Sequence, residues 1–392
     1  MQRLPRTVIA LGAVSLLTDA SSEMIYPLLP IFLSSVLGAG PLAIGAIEGL
    51  AESVAALLKL VSGWWSDRLP RRKPLVVAGY GVASVVRPLV GLAQSVPHVL
   101  AIRVIDRVGK GIRGSPRDAL IADAVDPSTR GRAFGFHRAA DHAGAVIGPL
   151  VAWALLGWGG LSLRTVFLLA GVPAALAVIT LVIGVRESPR TSPGPGPRPG
   201  LRDGGFSGRF RAYLLVLLLF TLGNSTDALL ILRASDLGVS AALVPVLWAM
   251  LHVVKSASST PGGVLSDRLG RRPLIIGGWL VYAVVYLGFA VASAEWHAWA
   301  LFAVYGTYFG LTEGVEKALV ADFVPADRRG TAFGWYNLTI GLAAFPASLL
   351  FGAVWQAFGA PVAFSMGAGL AVMAAGGLAV VLRGVAPGQP AT

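Results

Sequence analysis

The stretch GWWSDRLPRRKP, from Gly63 to Pro74, returns as GGVLSDRLGRRP from Gly262 to Pro273. Gly63, Ser66, Asp67, Arg68, Leu69, Arg71 and Arg72 recur as Gly263, Ser266, Asp267, Arg268, Leu269, Arg271 and Arg272. A second pair follows in the same order, ALIADAVDPSTRGRAFG from Ala119 and ALVADFVPADRRGTAFG from Ala318. A shorter match joins Thr18-Asp19-Ala20 to Thr226-Asp227-Ala228. Three matches in one order, at nearly one spacing, describe two copies of one unit. Copies with an even number of spans keep the same orientation and are related by an axis along the membrane normal.

Around these repeats the chain is apolar. Of 392 residues 55% are hydrophobic and 13% charged, with mean hydropathy +0.70. A soluble domain carries about 25% charged residues, so an integral membrane protein is expected. Twelve apolar stretches of about 20 residues can be marked, near 8–34, 42–65, 74–94, 98–123, 132–156, 162–185, 213–233, 241–265, 273–293, 297–321, 331–355 and 362–383. Between the sixth and seventh lies RESPRTSPGPGPRPGLRDGGFSGRFR, whose proline, glycine and arginine cannot bury a core and read as a linker. The expected architecture is all-α: an N-terminal six-helix bundle over 1–186, a cytoplasmic linker over 187–212 and a C-terminal six-helix bundle over 213–392.

Loop cations orient the chain. Arg68, Arg71, Arg72, Lys73, Arg130, Arg132, the linker arginines, Arg268, Arg271, Arg272, Arg328 and Arg329 fall in alternate loops, and the intervening loops are nearly free of them. The positive-inside rule puts both termini and the linker in the cytoplasm of an inner-membrane protein. Much of the net charge of +12 therefore belongs to short, dispersed loops, which argues against a nucleic-acid partner. The first apolar stretch runs past any plausible cleavage site, so no cleaved leader is expected. With no cysteine, there is no disulfide framework, thiolate metal site or cysteine nucleophile.

One span breaks the apolar pattern. RVIDRVGKGIRGSPR, Arg103 to Arg117, carries five cations and one acid between apolar flanks. At 100° per residue, Arg103, Asp106, Arg107, Lys110, Arg113 and Arg117 fall within roughly 120° of arc, so one wall of the helix is basic. Each central charge costs at least ~2.5–3.5 kcal/mol to insert, so these side chains must face water or partners. Further charges lie on neighbouring spans: Asp19 and Glu23 on the first, Glu48, Glu52 and Lys59 on the second, Arg87 on the third, and Asp141 between His137, Arg138 and His142 on the fifth. The second copy has fewer, namely Asp227, His252, Lys255, Glu313, Glu316 and Lys317, and offers shape and apolar contact from Trp248, Tyr305, Tyr308, Trp335 and Tyr336.

Two readings compete for these groups. In the structural one they are salt bridges that fix helix register: Asp106 is spaced to pair with Arg103 or Lys110, and Glu48 or Glu52 neutralises Arg87 or Arg107. In the functional one Arg103, Arg107 and Lys110 contact an anionic or polar cargo, and Arg113 and Arg117 guide it or hold an inner gate. Proton coupling needs a carboxylate that alternates between dry and wet surroundings. Asp19 and Glu52, expected near mid-membrane, lead Glu23, Glu48 and Asp227 for that role. Gly144 and Gly148 have small-xxx-small spacing, which lets helices approach closely. Pro27, Pro30, Pro88, Pro116 and Pro149 are expected to bend their helices.

The repeated loop residues resemble those of the major facilitator superfamily, and the resemblance covers essentially the whole chain. Its signature between helices two and three, Gly-x3-Asp-Arg-x2-Arg-Arg-Lys, stands as Gly63, Asp67, Arg68, Arg71, Arg72 and Lys73, with a second copy at Gly263, Asp267, Arg268, Arg271 and Arg272. Arg103 fills the arginine that opens the helix-four signature. A glycine-rich fifth-helix pattern ending Gly-Pro, found in proton-coupled exporters, is similar to Gly144, Gly148 and Pro149, though Ala152-Trp153 replaces its trailing glycine pair. The resemblance implies alternating access by two six-helix halves, with Asp67 and Asp267 near helix ends forming pairs that break as the halves rock.

Together these features predict a monomeric, proton-coupled secondary transporter in the lipid bilayer. Its expected cargo is a small anionic or polar compound, or a drug, moved outward. Import of an organic anion or sugar is the alternative. No cofactor beyond the proton gradient and no metal is expected. An intramembrane enzyme, the more remote alternative, needs a nucleophile–base pair or metal ligands at helical spacing, whereas His252 and His297 stand alone and His137 and His142 are five apart. An ATP-driven pump would carry GxxxxGK[ST], which is absent.

Overall fold

A computed structural model describes residues 4–29, 32–38, 41–187, 206–224, 227–240 and 243–383. Pro30, Thr226, linker residues 188–205 and the side chain of Glu48 lie outside the described residues. The described residues form helices and turns with no strand. The helices are α1 (Arg6–Glu23), α2 (Pro41–Ser66), α3 (Lys73–Val86), α4 (Val96–Asp123), α5 (Arg130–Gly157), α6 (Leu163–Leu169), α7 (Gly171–Gly184), α8 (Gly208–Gly223), α9 (Asp227–Asp236), α10 (Val244–Leu269), α11 (Arg271–Val291), α12 (Glu295–Phe323), α13 (Arg329–Phe358) and α14 (Ala360–Val381). With α6–α7 and α8–α9 each counted as one span, they follow the twelve apolar stretches. Among the described residues, seven helical stretches are long and apolar enough to cross a membrane by length and composition alone.

Proline decides where spans lose regularity. Near Pro27 the first span leaves α1 for a 3-10 turn at Tyr26–Leu28, followed by a π turn at Phe32–Val36. At Pro88, α3 gives way to a 3-10 segment, Arg87–Leu92. A proline removes an N–H and crowds the preceding turn, so helical bonding resumes in another register. Pro116 and Pro149, by contrast, stay inside α4 and α5. Arginine answers two of the helix ends. Arg164 Nη1 donates to the Gly91 and Ala93 carbonyls at 3.0 and 2.7 Å, and Arg233 donates to those of Phe289 and Ala292 at 3.1 and 2.7 Å. In hydrocarbon such orphan carbonyls have no water to turn to.

The packing repeats as the sequence does. α2 packs on α4 as α10 packs on α12, α3 on α4 as α11 on α12, and α1 on α7 as α8 on α14. The residues gather into two compact units. One holds Met1–Val125, Ala140–Gly204 and Ala326–Asn337; the other holds Asp126–Ala139, Gly205–Pro325 and Leu338–Thr392. Each unit therefore includes the leading end of a helix encoded in the other copy, α13 for the first and α5 for the second.

Within the first unit α1 and α5 meet through small residues. A Cβ on Gly144 would lie 3.0 Å from both Ala20 N and Asp19 Cβ, and one on Gly148 would lie 2.9 Å from Glu23 Cβ. The second unit has an aromatic core. Phe220 stacks on Trp279 at 4.5 Å, Tyr282 on Tyr286 at 4.1 Å and Tyr305 on Tyr308 at 5.7 Å. Tyr305 and Tyr308, expected to offer shape and apolar contact, are buried in that stack. A bulky residue at the α1–α5 contact is predicted to overpack it. Gly144→Val is expected to cost about 1–3 kcal/mol, read as a lower unfolding temperature, whereas Gly352→Ala, with open space around its Cβ, leaves that temperature unchanged or slightly raised.

Candidate functional site

The repeated loops build the same device twice. In the first unit Asp67 Oδ1 accepts the Gly330 N–H at 2.9 Å, and Oδ2 accepts the Thr331 N–H and hydroxyl, each at 2.7 Å. In the second, Asp267 Oδ1 accepts the Gly131 N–H at 2.8 Å and Oδ2 the Arg132 N–H at 2.7 Å. Both carboxylates sit on the first amides of a helix, where unpaired N–H groups and the macrodipole favour negative charge. Such approach needs bare backbone: a Cβ on Gly63 would run into the Gly330 carbonyl, and one on Gly263 into that of Gly131.

Arginines close each device. Arg72, fully buried, reaches Asp67 Oδ1 at 2.7 Å and also pairs with Asp123, which pairs in turn with Arg329. In the second unit Arg271 pairs with Asp267 and lies 3.1 Å from Asp322 Oδ2, while Arg130 reaches Asp322 Oδ1 at 2.5 Å. The structural counterpart of Arg271 is thus Arg72, one place beyond the Arg71 given by direct alignment of the motifs. Gly270, at φ +94°, turns the second loop with one residue fewer than the first uses at Pro70 and Arg71. Arg71 is consequently exposed, and Arg68 turns back to donate to the Trp64 carbonyl at 2.8 Å, over the Trp64 ring. Asp123, Arg130, Asp322 and Arg329 were not among the expected gate residues. The second repeated stretch held their signal, since Asp123 and Arg130 recur there as Asp322 and Arg329 at one spacing.

The basic wall of α4 faces inward, opposite the exposed Ile105. It has two parts. In the closed part Asp106 is buried, with Arg87 Nη2 and Nε at 3.0 and 3.1 Å, Arg103 Nη1 at 3.8 Å and Arg107 Nη1 at 4.0 Å. Arg87 is further held by the Thr18 carbonyl at 3.0 Å and the Ser21 hydroxyl at 3.3 Å. In the open part Glu52 Oε2 lies 3.6 Å from Arg107 Nε and 3.5 Å from Lys110 Nζ, and the Glu52 side chain is 54% exposed. Glu52 therefore pairs with Arg107, as the register reading allowed, whereas Arg87 takes Asp106 instead of a carboxylate on α2.

Farther along, Arg113 is buried over the Tyr80 ring at 4.1 Å. Arg117 donates to Asp118 Oδ1 at 3.0 and 3.1 Å. Glu23 neighbours Arg107, Arg87, Lys110 and Arg103. Asp19 lies within electrostatic reach of Asp141, Glu23 and Arg113, and Asp141 accepts a hydrogen bond from Ser15 Oγ.

In the second unit Asp227 accepts from Tyr305 Oη at 3.1 Å. Lys255, outside the expected path, is 4% exposed; its Nζ lies 3.5 Å from the centre of the Phe309 ring and 5.6 Å from that of Trp248. Among the described residues no carboxylate pairs with it. Cation–π attraction of about 2 kcal/mol offsets part of the ~2.5–3.5 kcal/mol insertion cost.

The family model of the Major Facilitator Superfamily matches residues 11–254 and 212–392. An uncharacterised MFS-type transporter of Methanocaldococcus jannaschii is 35% identical over 361 residues, covering 91% of this chain and 90% of the relative. The multi-drug resistance efflux pump PmrA of Streptococcus pneumoniae is 26% identical over 79% of each chain. Among solved structures, the human organic anion transporter MFSD10 superposes with a TM-score of 0.79 at 17% identity, covering 95% of this chain and 99% of that one, a likeness of fold alone.

Two measurements probe the site. Asp106→Asn leaves Arg87 buried with a neutral partner and is expected to cost about 3–5 kcal/mol in a detergent unfolding assay, part of which returns in the double variant with Arg87→Leu. Asp67→Ala removes the acceptor of four hydrogen bonds, three from Gly330 and Thr331 and one from Arg72, each worth about 1.5–3 kcal/mol, so a clear fall in unfolding temperature is expected, and Asp267→Ala should also lower it.

Proposed function

We propose that this chain, which belongs to the major facilitator superfamily, is a proton-coupled exporter of a small polar or anionic compound working by alternating access. In this reading its two six-helix halves, 1–186 and 213–392, rock about a site built on α4. Arg107 and Lys110, at the open part of the basic wall, bind the cargo, with Arg103 behind them and Arg113 and Arg117 toward the inner gate. The observation that carries the reading is the partition of that wall. Asp106 holds Arg87 and Arg103 in a closed cluster, while Arg107 reaches from Asp106 to the half-exposed Glu52 and shares it with Lys110, an edge where an anion can replace the Glu52 carboxylate. The efflux pump among the relatives supports the outward direction.

The proton belongs to the Asp19–Asp141 pair. Exchange against protons requires cargo and proton to compete, and a zwitterion meets that condition by bringing its cationic end to Asp19 and its anionic end to the α4 wall. A second reading is favoured by Arg113 beside Asp19. Protonation of the pair removes negative charge next to that cation, so a purely anionic cargo and a proton assist each other and travel together. That sign describes import of an organic anion.

Proteoliposomes with an imposed pH gradient test both. Labelled antibiotics, amino acids and organic anions are offered singly. The exporter reading expects one of them to accumulate against the proton flow, with loss of transport in Arg107→Ala and loss of the pH dependence in Asp19→Asn. Accumulation with the proton flow establishes the importer. Transport undiminished in Arg107→Ala refutes the anion-binding wall.

A further inference from the structure

A cavity of about 630 Å³ lies where the start of α3 meets the end of α7, inside the first unit and outside the transport path. Its wall includes Arg71, Lys73, Val77, Val182, Arg186 and Glu187. Two of these charges serve the helices. Lys73 Nζ donates to the Val182 and Val185 carbonyls at 2.8 and 2.7 Å, closing the end of α7. Glu187 Oε1 and Oε2 accept the Arg72 and Lys73 N–H groups at 2.8 and 2.7 Å, closing the start of α3. Both carboxylate oxygens of Glu187 are thereby engaged by backbone.

The guanidiniums of Arg71 and Arg186 remain. Both residues are exposed, and among the described residues neither side chain has an ion-pair or hydrogen-bond partner. Arg71 stands there because the longer first loop hands the buried role to Arg72. Below the two guanidiniums the wall is apolar and continues along α7 at Val182 and Ile183, both exposed as a lipid-facing surface is. A paired cationic rim over an apolar floor, at the end of two membrane helices, matches an amphiphile with an anionic head.

We infer that this cavity binds an anionic phospholipid. Its phosphodiester lies between Arg71 and Arg186, whose planar donor forks fit phosphate oxygens, and one acyl chain runs over Val77 and Val182. Lys73, Arg71 and Arg186 against Glu187 leave the cavity positive, which disfavours the cationic end of a zwitterionic headgroup. The position has a consequence for the first carboxylate device. Glu187 holds the backbone of Arg72, whose side chain holds Asp67 and Asp123, so an occupied cavity stiffens the mount of that arginine.

The test uses the full chain in detergent, examined by native mass spectrometry with dioleoylphosphatidylglycerol, dioleoylphosphatidylcholine or inorganic phosphate. Phosphatidylglycerol is expected to be retained over phosphatidylcholine by roughly thirtyfold, the combined effect of two surface cations. The double variant Arg71→Gln, Arg186→Gln is expected to lose that preference while its unfolding temperature in detergent stays unchanged, since among the described residues neither side chain has a bonding partner. Equal retention of the two lipids, or a preference undiminished in the double variant, overturns the inference. So does binding of inorganic phosphate that displaces phosphatidylglycerol, because the site would then serve a soluble anion.

Discussion

A helix that begins at a membrane boundary exposes four amides and about half a positive charge, and water is scarce there to meet them. Asp67 meets two of those amides on α13 and Asp267 two on α5. Much of the surrounding architecture follows from that pairing. Gly63 and Gly263 must lack side chains for the backbones to touch, and Arg72 and Arg271 must be drawn in because a buried carboxylate needs more than amides to offset its lost hydration. Asp123 and Asp322 then balance the imported arginines. The arrangement is tight when made and leaves several uncompensated charges when broken, which suits an element with two discrete states.

The α4 wall obeys the same accounting of charge with a different outcome. Asp106 alone is approached by three guanidiniums, so the closed part of the wall is satisfied yet rich in cation. The open part relies on Glu52, a half-exposed carboxylate whose pairs with Arg107 and Lys110 are worth little beside a buried ion pair. Gly144 and Gly148 draw α1 against α5, which brings the Asp19 and Glu23 stretch of α1 against the helix that carries Asp141. Chemistry in this unit thus depends on helix packing as much as on the ionisable groups.

The fold was legible because its evidence is covalent and repetitive. The duplicated motifs, twelve apolar stretches and alternating basic loops all depend on order along the chain, and the helices follow them. The wall of α4 was legible for the same reason, since helical periodicity alone assigns its face. Partners were less so. The separation of Arg87 from Asp106 along the chain carries no helical signature, and their meeting depends on how α3 ends at Pro88. The match of Arg72 with Arg271 was hidden by a single-residue difference whose cause is the left-handed backbone at Gly270. Tyr305 and Tyr308 were expected to give shape and apolar contact, and composition alone did not reveal that they sit in a buried aromatic stack.

The first carboxylate device also sets an order of events during biosynthesis. Asp67 waits for amides 263 and 264 positions downstream, so the leading copy is complete only when α13 has been made. Asp267 finds its partners already translated, 136 and 135 positions earlier. A nascent chain released near the linker would therefore carry Asp67 without the α13 amides that complete its device.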